Sequence, residues 1–263
     1  MLDLNQLLEW NKQKAYAGKL GRKRELFCLE YVQQKSIIVK EVEDSQVKEA
    51  NLTGASITCK KKCPFSTCCM EYIEATIQEC EIIVYFLYNH PEALSQFLKN
   101  YPEWREKVLF NSDIYKEFDK IYQEISSTQT QKNQRILDEL DRRNFELHVR
   151  YFDLHISCPF LVDNQCIIYD VRPYVCVVAY STSPLDLCAL NSKILPPINR
   201  SLLPEGTYYI PFYYYGKLDI PNPLFMALNV YDILVKGYAH IAEVTGLVEL
   251  EKEAKRQNLI QDT

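Results

Sequence analysis

Two stretches decide how this chain is read: Cys59-Lys60-Lys61-Lys62-Cys63-Pro64-Phe65-Ser66-Thr67-Cys68-Cys69, and Cys158-Pro159-Phe160-Leu161-Val162-Asp163-Asn164-Gln165-Cys166-Ile167-Ile168-Tyr169-Asp170-Val171-Arg172-Pro173-Tyr174-Val175-Cys176 with Cys188 beyond it. They hold eight of the ten cysteines. Thiolates are soft, strongly donating ligands that suit zinc and iron–sulfur clusters, and several held together need a cation to relieve their repulsion. Cysteines placed for packing alone would be scattered. The clustering points to a metal and says little about what the metal is for.

The spacing argues against a zinc finger or ribbon, which pairs two knuckles across a short loop. Here 88 residues separate Cys69 from Cys158, so a site joining the runs is assembled by tertiary folding. Three residues separate Cys59 from Cys63 and four separate Cys63 from Cys68, wider than a knuckle's two. Proline directly follows Cys63 and Cys158, fixing the exit direction of the chain as in iron–sulfur runs. Of the vicinal pair Cys68-Cys69, one thiol is expected as a ligand and the other as a second-site ligand or a packed thiol. Lys60, Lys61 and Lys62 bring positive charge beside the thiols, where it would favour thiolate.

At 263 residues the chain is read as a single domain, long enough to bury a core without disulfides. Residues 1–16 lack the basic start and apolar run of a signal peptide, and no apolar stretch reaches the length of a membrane span. A cytoplasmic protein with reduced thiols and no membrane partner is the expectation. A net charge of −5 argues against nucleic acid as a partner. Seven glycines form neither G-x-G-x-x-G nor G-x-x-x-x-G-K-[ST], so dinucleotide and P-loop phosphate cradles are excluded. The 19 tyrosines are expected in core and boundary packing, with Tyr208–Tyr215 a binding surface if exposed.

The fold class expected is mainly α, with an irregular cysteine-rich core (residues 57–80 and 155–190) and a few short strands. Residues 24–34 are left as helix or strand, and Ser36–Val42 reads as strand-like. A helix from Met70 carries Ile73, Ile77, Cys80, Val84 and Leu87 on one buried face. Pro91 opens the next helix, residues 102–125 form another, Ser126–Gln134 reads as a loop or hairpin tip, and a further helix spans 135–151 with Ile136, Leu140, Leu147 and Tyr151 inward. Residues 90–151 thus form a helical insertion, and residues 223–257 form a C-terminal helical segment. Cys80 lies on the apolar stripe of the helix from Met70 and Cys28 between Phe27 and Leu29 with no partner nearby, and both read as core thiols. His155, three residues before Cys158, is a weaker nitrogen-ligand candidate.

The two runs together resemble the YkgJ-type cysteine-cluster family. The resemblance lies in Cys59, Cys63, Cys68-Cys69, C-P-F-L at Cys158, C-I-I-Y at Cys166 and R-P-Y-V-C ending at Cys176. Its members are described as zinc- or iron-chelating proteins, with related modules in flagellin lysine N-methylases. The resemblance implies a metal ion as partner, zinc or an iron–sulfur cluster as cofactor, and ligands among Cys59, Cys63, Cys68, Cys69, Cys158, Cys166, Cys176 and Cys188. It implies Arg172 as a donor to a thiolate or backbone carbonyl, beside the plainer reading of a salt bridge to Asp170 or another carboxylate. The first run is looser than the family's by one residue, and Val177 stands where an arginine commonly follows. Three roles stay open: a structural or otherwise non-catalytic metal centre, a cluster-dependent enzyme modifying a protein substrate in the manner of a lysine N-methylase, and metal storage, delivery or sensing.

Overall fold

The computed structural model describes residues 4–58, 67–131, 134–188, 198–204 and 224–245, with positions 252, 255, 256 and 258. These residues are mainly helical, as expected, and the first long element makes residues 24–34 helix and corrects the strand-like reading of Ser36–Val42. After α1 (Leu4–Ala15), one helix, α2 (Gly18–Leu52), runs 35 residues through the strand-like Ile37-Ile38-Val39. β-Branching weakens a helix only slightly. The buried positions Leu20, Arg24, Phe27, Tyr31, Lys35, Val42, Gln46 and Ala50 recur at helical steps over its whole length, and this long periodicity wins over a local triplet. Ile37 is left 61% exposed. At the elbow between the two helices, a Cβ on Gly21 would lie 2.3 Å from the Tyr16 carbonyl carbon, so the close approach requires glycine.

The helix expected from Met70 begins later, at α3 (Ile77–Asn89). Thr76 and Glu79 form a capping box: Thr76 Oγ1 accepts from Glu79 N at 3.2 Å, and Thr76 N donates to Glu79 Oε2 at 3.0 Å. Before it, Thr67–Met70 is a 3₁₀ turn and Glu74–Ala75 (β1) pairs antiparallel with Leu224–Phe225. Every residue from Ile77 to Val84 is buried, so α3 is enclosed on all sides rather than on one stripe. It is packed by α2 and by α4 (Pro91–Phe110), α8 (Met226–Lys236) and α9 (Tyr238–Thr245). Cys28 and Cys80 are fully buried in this core, as read.

Pro91 opens α4 as expected, but Pro102 lies inside it, and residues 102–125 divide between α4 and α5 (Ser112–Gln131). Ser126–Gln131 is helical, and α6 (Gln134–Phe152) packs back antiparallel on α5. Leu140, Leu147 and Tyr151 are buried, whereas Ile136 is 44% exposed. Tyr72 ties this hairpin to β1, stacking on Phe118 and Phe225 at 3.8 and 4.2 Å. Within the expected C-terminal helical segment, Gly237, at φ +59°, separates α8 from α9. Asn11 Nδ2 donates to Leu234 O at 2.7 Å and Tyr238 Oη to Ala15 O at 2.6 Å, closing α1 onto that pair.

Candidate metal centre

The two cysteine runs meet through the backbone: Cys158 N donates to Cys69 O at 2.7 Å. From there the chain makes a tight hairpin, β2 (Leu161–Val162) and β3 (Gln165–Cys166), with Leu161 opposite Cys166. Asp163 and Asn164 at its turn have φ of 48° and 61°, the paired left-handed conformation a two-residue hairpin requires. A 3₁₀ turn (Tyr169–Val171) then leads through Arg172-Pro173 into the short helix α7 (Tyr174–Val178), which carries Cys176. Cys188 ends another 3₁₀ turn, and its carbonyl accepts a hydrogen bond from Thr67 Oγ1, next to Cys68. Cys59 and Cys63 lie outside the described residues, as does Tyr208–Tyr215. Thr58, just ahead of Cys59, is bound to Ser181 O through N and Oγ1 at 2.9 and 3.0 Å. Thr58 and Thr67, on either side of residues 59–66, are therefore both tied to the second run.

The eight described cysteines are free thiols. Five of them, Cys68, Cys69, Cys158, Cys166 and Cys176, are near enough that each interacts electrostatically with at least two of the others. The Cys69 thiol donates to Cys68, which brings Cys68 down to about 7 and drives Cys69 up, with burial adding to the rise. Burial pushes Cys166 up to about 11, against help from the nearby Arg172 charge. Burial, and then the Cys166 charge, raise Cys158 and Cys176 as well. Each thiolate formed makes the next harder to form. A soft cation would reverse that penalty, and a set of thiols that is half-buried, with Cys68 exposed, is of the kind that zinc and iron–sulfur clusters take. As the side chains stand, no three Cys, His, Asp or Glu groups among the described residues are set to hold a metal ion.

Behind Cys176 lies a buried polar layer that sequence reasoning missed. Glu79 Oε1 accepts from Tyr174 N at 2.7 Å and from Lys35 Nζ at 3.2 Å, and Lys35 lies over the Tyr174 ring at 4.4 Å. Burial holds the Lys35 ammonium below its ordinary pKa, while Glu79 and, more weakly, Cys176 oppose the shift. At the other end of α7, Gln46 Nε2 donates to Val177 O and Val178 O at 2.9 and 3.3 Å. Both ends of this short helix are thus satisfied by side chains from α2 and α3. Arg172 donates to Tyr169 O at 2.8 Å and to Glu43 at 2.9 Å, so its carboxylate partner is on α2 and it also takes a backbone carbonyl. The Thr76-x-x-Glu79 pattern was the available signal for one member of this layer.

His155 is exposed at φ 50° and edge-on to Phe152. His148 lies between Glu71 and Glu74 at 3.8 and 3.7 Å. Burial lowers His148 to about 4 and raises Glu74 to about 7, so near neutral pH the histidine is uncharged and no ion pair joins them. Cys158 borders a cleft with Glu71, Trp104, Tyr151 and Phe225, whose inner space of about 10 Å³ is water-sized. Among the described residues, no helix is long and apolar enough to cross a membrane. Comparison of the chain with protein-family models, curated proteins and solved structures finds no match.

Proposed function

We propose that this chain is a metal-binding protein that holds zinc or an iron–sulfur cluster through thiolates drawn from both cysteine runs. Cys68, Cys69, Cys158, Cys166 and Cys176 form the nucleus of the donor set, with Cys188 beside them and Cys59 and Cys63 as further donors from the first run. The observation that carries the reading is the Cys158 N to Cys69 O hydrogen bond, which joins runs that 88 residues separate in the sequence. The YkgJ-type pattern in the sequence supports the same reading. A bound metal would supply the positive charge that lets these thiols ionise together, and it would add its binding energy to the stability of segments with little regular structure of their own.

Anaerobic purification followed by metal analysis and a visible spectrum tests this. The expected result is stoichiometric zinc in a colourless protein, or iron with acid-labile sulfide in a brown one. Cys166→Ser and Cys176→Ser should each lower the metal content and the stability, and Cys28→Ser should leave the metal content intact. Neither metal in the wild-type protein, with all ten cysteines titrating as free thiols, would overturn the reading, as would equal loss from all three variants.

A further inference from the structure

We infer that Glu79 is a positioning residue for the proposed thiol site, holding Cys176 in place through the first turn of α7. The inference rests on the metal-binding reading and adds to it the part of the fold that aims one ligand. Two oxygens of one buried carboxylate do separate work here. Oε2 closes the capping box of α3 by accepting from Thr76 N at 3.0 Å. Oε1 faces away from that cap and accepts from Tyr174 N at 2.7 Å and Lys35 Nζ at 3.2 Å. One side chain therefore joins three helices at a point two residues before Cys176.

A five-residue helix cannot hold its own orientation, because a single turn gains too few hydrogen bonds to offset nucleation. Its first N–H groups have no partner within the helix, and Glu79 takes the one at Tyr174. Pro173 sets the entry of the chain, and Gln46 takes the carbonyls at the exit. A buried ion pair adds little net stability over apolar side chains of the same volume. What Lys35 and Glu79 add is a single carboxylate orientation in which both oxygens are used. A glutamine at this position offers one acceptor oxygen and cannot serve both the α3 cap and the α7 amide.

The test uses the full chain with Glu79→Gln, and with Glu81→Gln as the matched control. Glu81 is the other buried acid of α3, paired with Arg24 of α2. Zinc affinity is measured by competition with a chromophoric chelator, and hydrogen exchange is followed across residues 174–178. Glu79→Gln should weaken zinc binding about tenfold or more and speed exchange in that segment. Glu81→Gln should lower the melting temperature comparably while keeping zinc affinity within about twofold. Equal weakening of zinc by both variants would overturn the positioning role, and so would unchanged exchange at 174–178 in Glu79→Gln. Should Glu79→Gln fail to fold, Lys35→Met/Glu79→Gln removes both charges together and is measured in its place. If the wild-type protein takes up neither zinc nor iron, the metal-binding reading fails by itself. Exchange then decides the role of Glu79: faster exchange confined to 174–178 supports it, and no change overturns it.

Discussion

Helix α3 and the α5–α6 hairpin both carry ion pairs, and they place them in opposite environments. On the hairpin, Arg150 reaches Glu117 and Asp113 at 3.1 and 3.3 Å and Arg143 reaches Glu124 at 3.0 Å, all with side chains in contact with water. On α3, Glu79 and Glu81 are buried and meet Lys35 and Arg24 of α2, which are equally buried. In water the hairpin charges are solvated with or without partners, so their pairing costs little and adds little. Inside, each charge needs its partner, because a lone ion there is strongly disfavoured. The hairpin's charges keep its outer faces wet, whereas those of α3 dictate which neighbour stands where. That difference is why the polar layer behind the thiols can aim a ligand and the hairpin's network cannot.

The sharpest way to break this contrast is to remove one buried cation. Arg24 donates through Nε to Glu81, and its guanidinium lies over the Tyr238 ring at 4.0 Å. Arg24→Met keeps much of the volume and takes the guanidinium away from the buried Glu81 carboxylate. Stability should fall by about 3–5 kcal/mol, read from urea unfolding. Arg24→Met/Glu81→Gln should recover most of the loss. If the double variant is as unstable as the single one, lost packing accounts for the effect and the two regions do not differ in the way argued.

These tertiary partners mark where sequence reading ran out. The cysteine runs were legible because metal-binding thiols must cluster and because proline and tight turns punctuate them. That Cys80 belongs to the core was legible from its apolar stripe, and that Cys28 does from its apolar neighbours Phe27 and Leu29. Lys35 was not, since a lysine just ahead of the strand-like Ser36–Val42 reads as solvent-facing until the whole of α2 is seen as one helix. Its partner Glu79 is 44 positions away, and Glu43, the partner of Arg172, is 129 positions away. No local pattern encodes such distances. The start of α3 was readable and missed: Thr76-x-x-Glu79 is a capping signature, and it outweighs the apolar spacing that extends back to Ile73.

Glu74 lies between the two extremes, with its side chain 18% exposed. Burial raises it to about 7, while the Arg200 charge pulls the other way. Because the folded chain keeps this proton longer than the unfolded chain does, the stability it contributes is full below the ordinary carboxylate range and is lost as pH rises through about 7. His148 runs in the opposite direction: its contribution is full above the ordinary histidine range and is lost as pH falls through about 4. Glu74→Gln removes the first slope and leaves the second. The variant should match wild type near pH 4 and exceed it by about 1–2 kcal/mol at pH 8, read from urea midpoints across that range. Parallel profiles for the two proteins would show that partial burial here behaves like exposure.

The smallest effect is expected where charge is most exposed. Arg150 on α6 is 49% exposed and bridges to two acids of α5, so geometry alone would rank it beside Arg24. Solvent screening decides otherwise: exposed pairs gain at most about 1 kcal/mol, and part of that is offset by ordering long side chains. Arg150→Ala should therefore lower stability by less than about 1 kcal/mol, and less again at 1 M salt, where the screening length is only about 3 Å. A loss of several kcal/mol that persists in high salt would mean that the arginine stem packs the hairpin and that its charge is incidental. It would also place the hairpin under the same rule as α3, with removal of a single side chain exposing a fault in packing instead of in solvation.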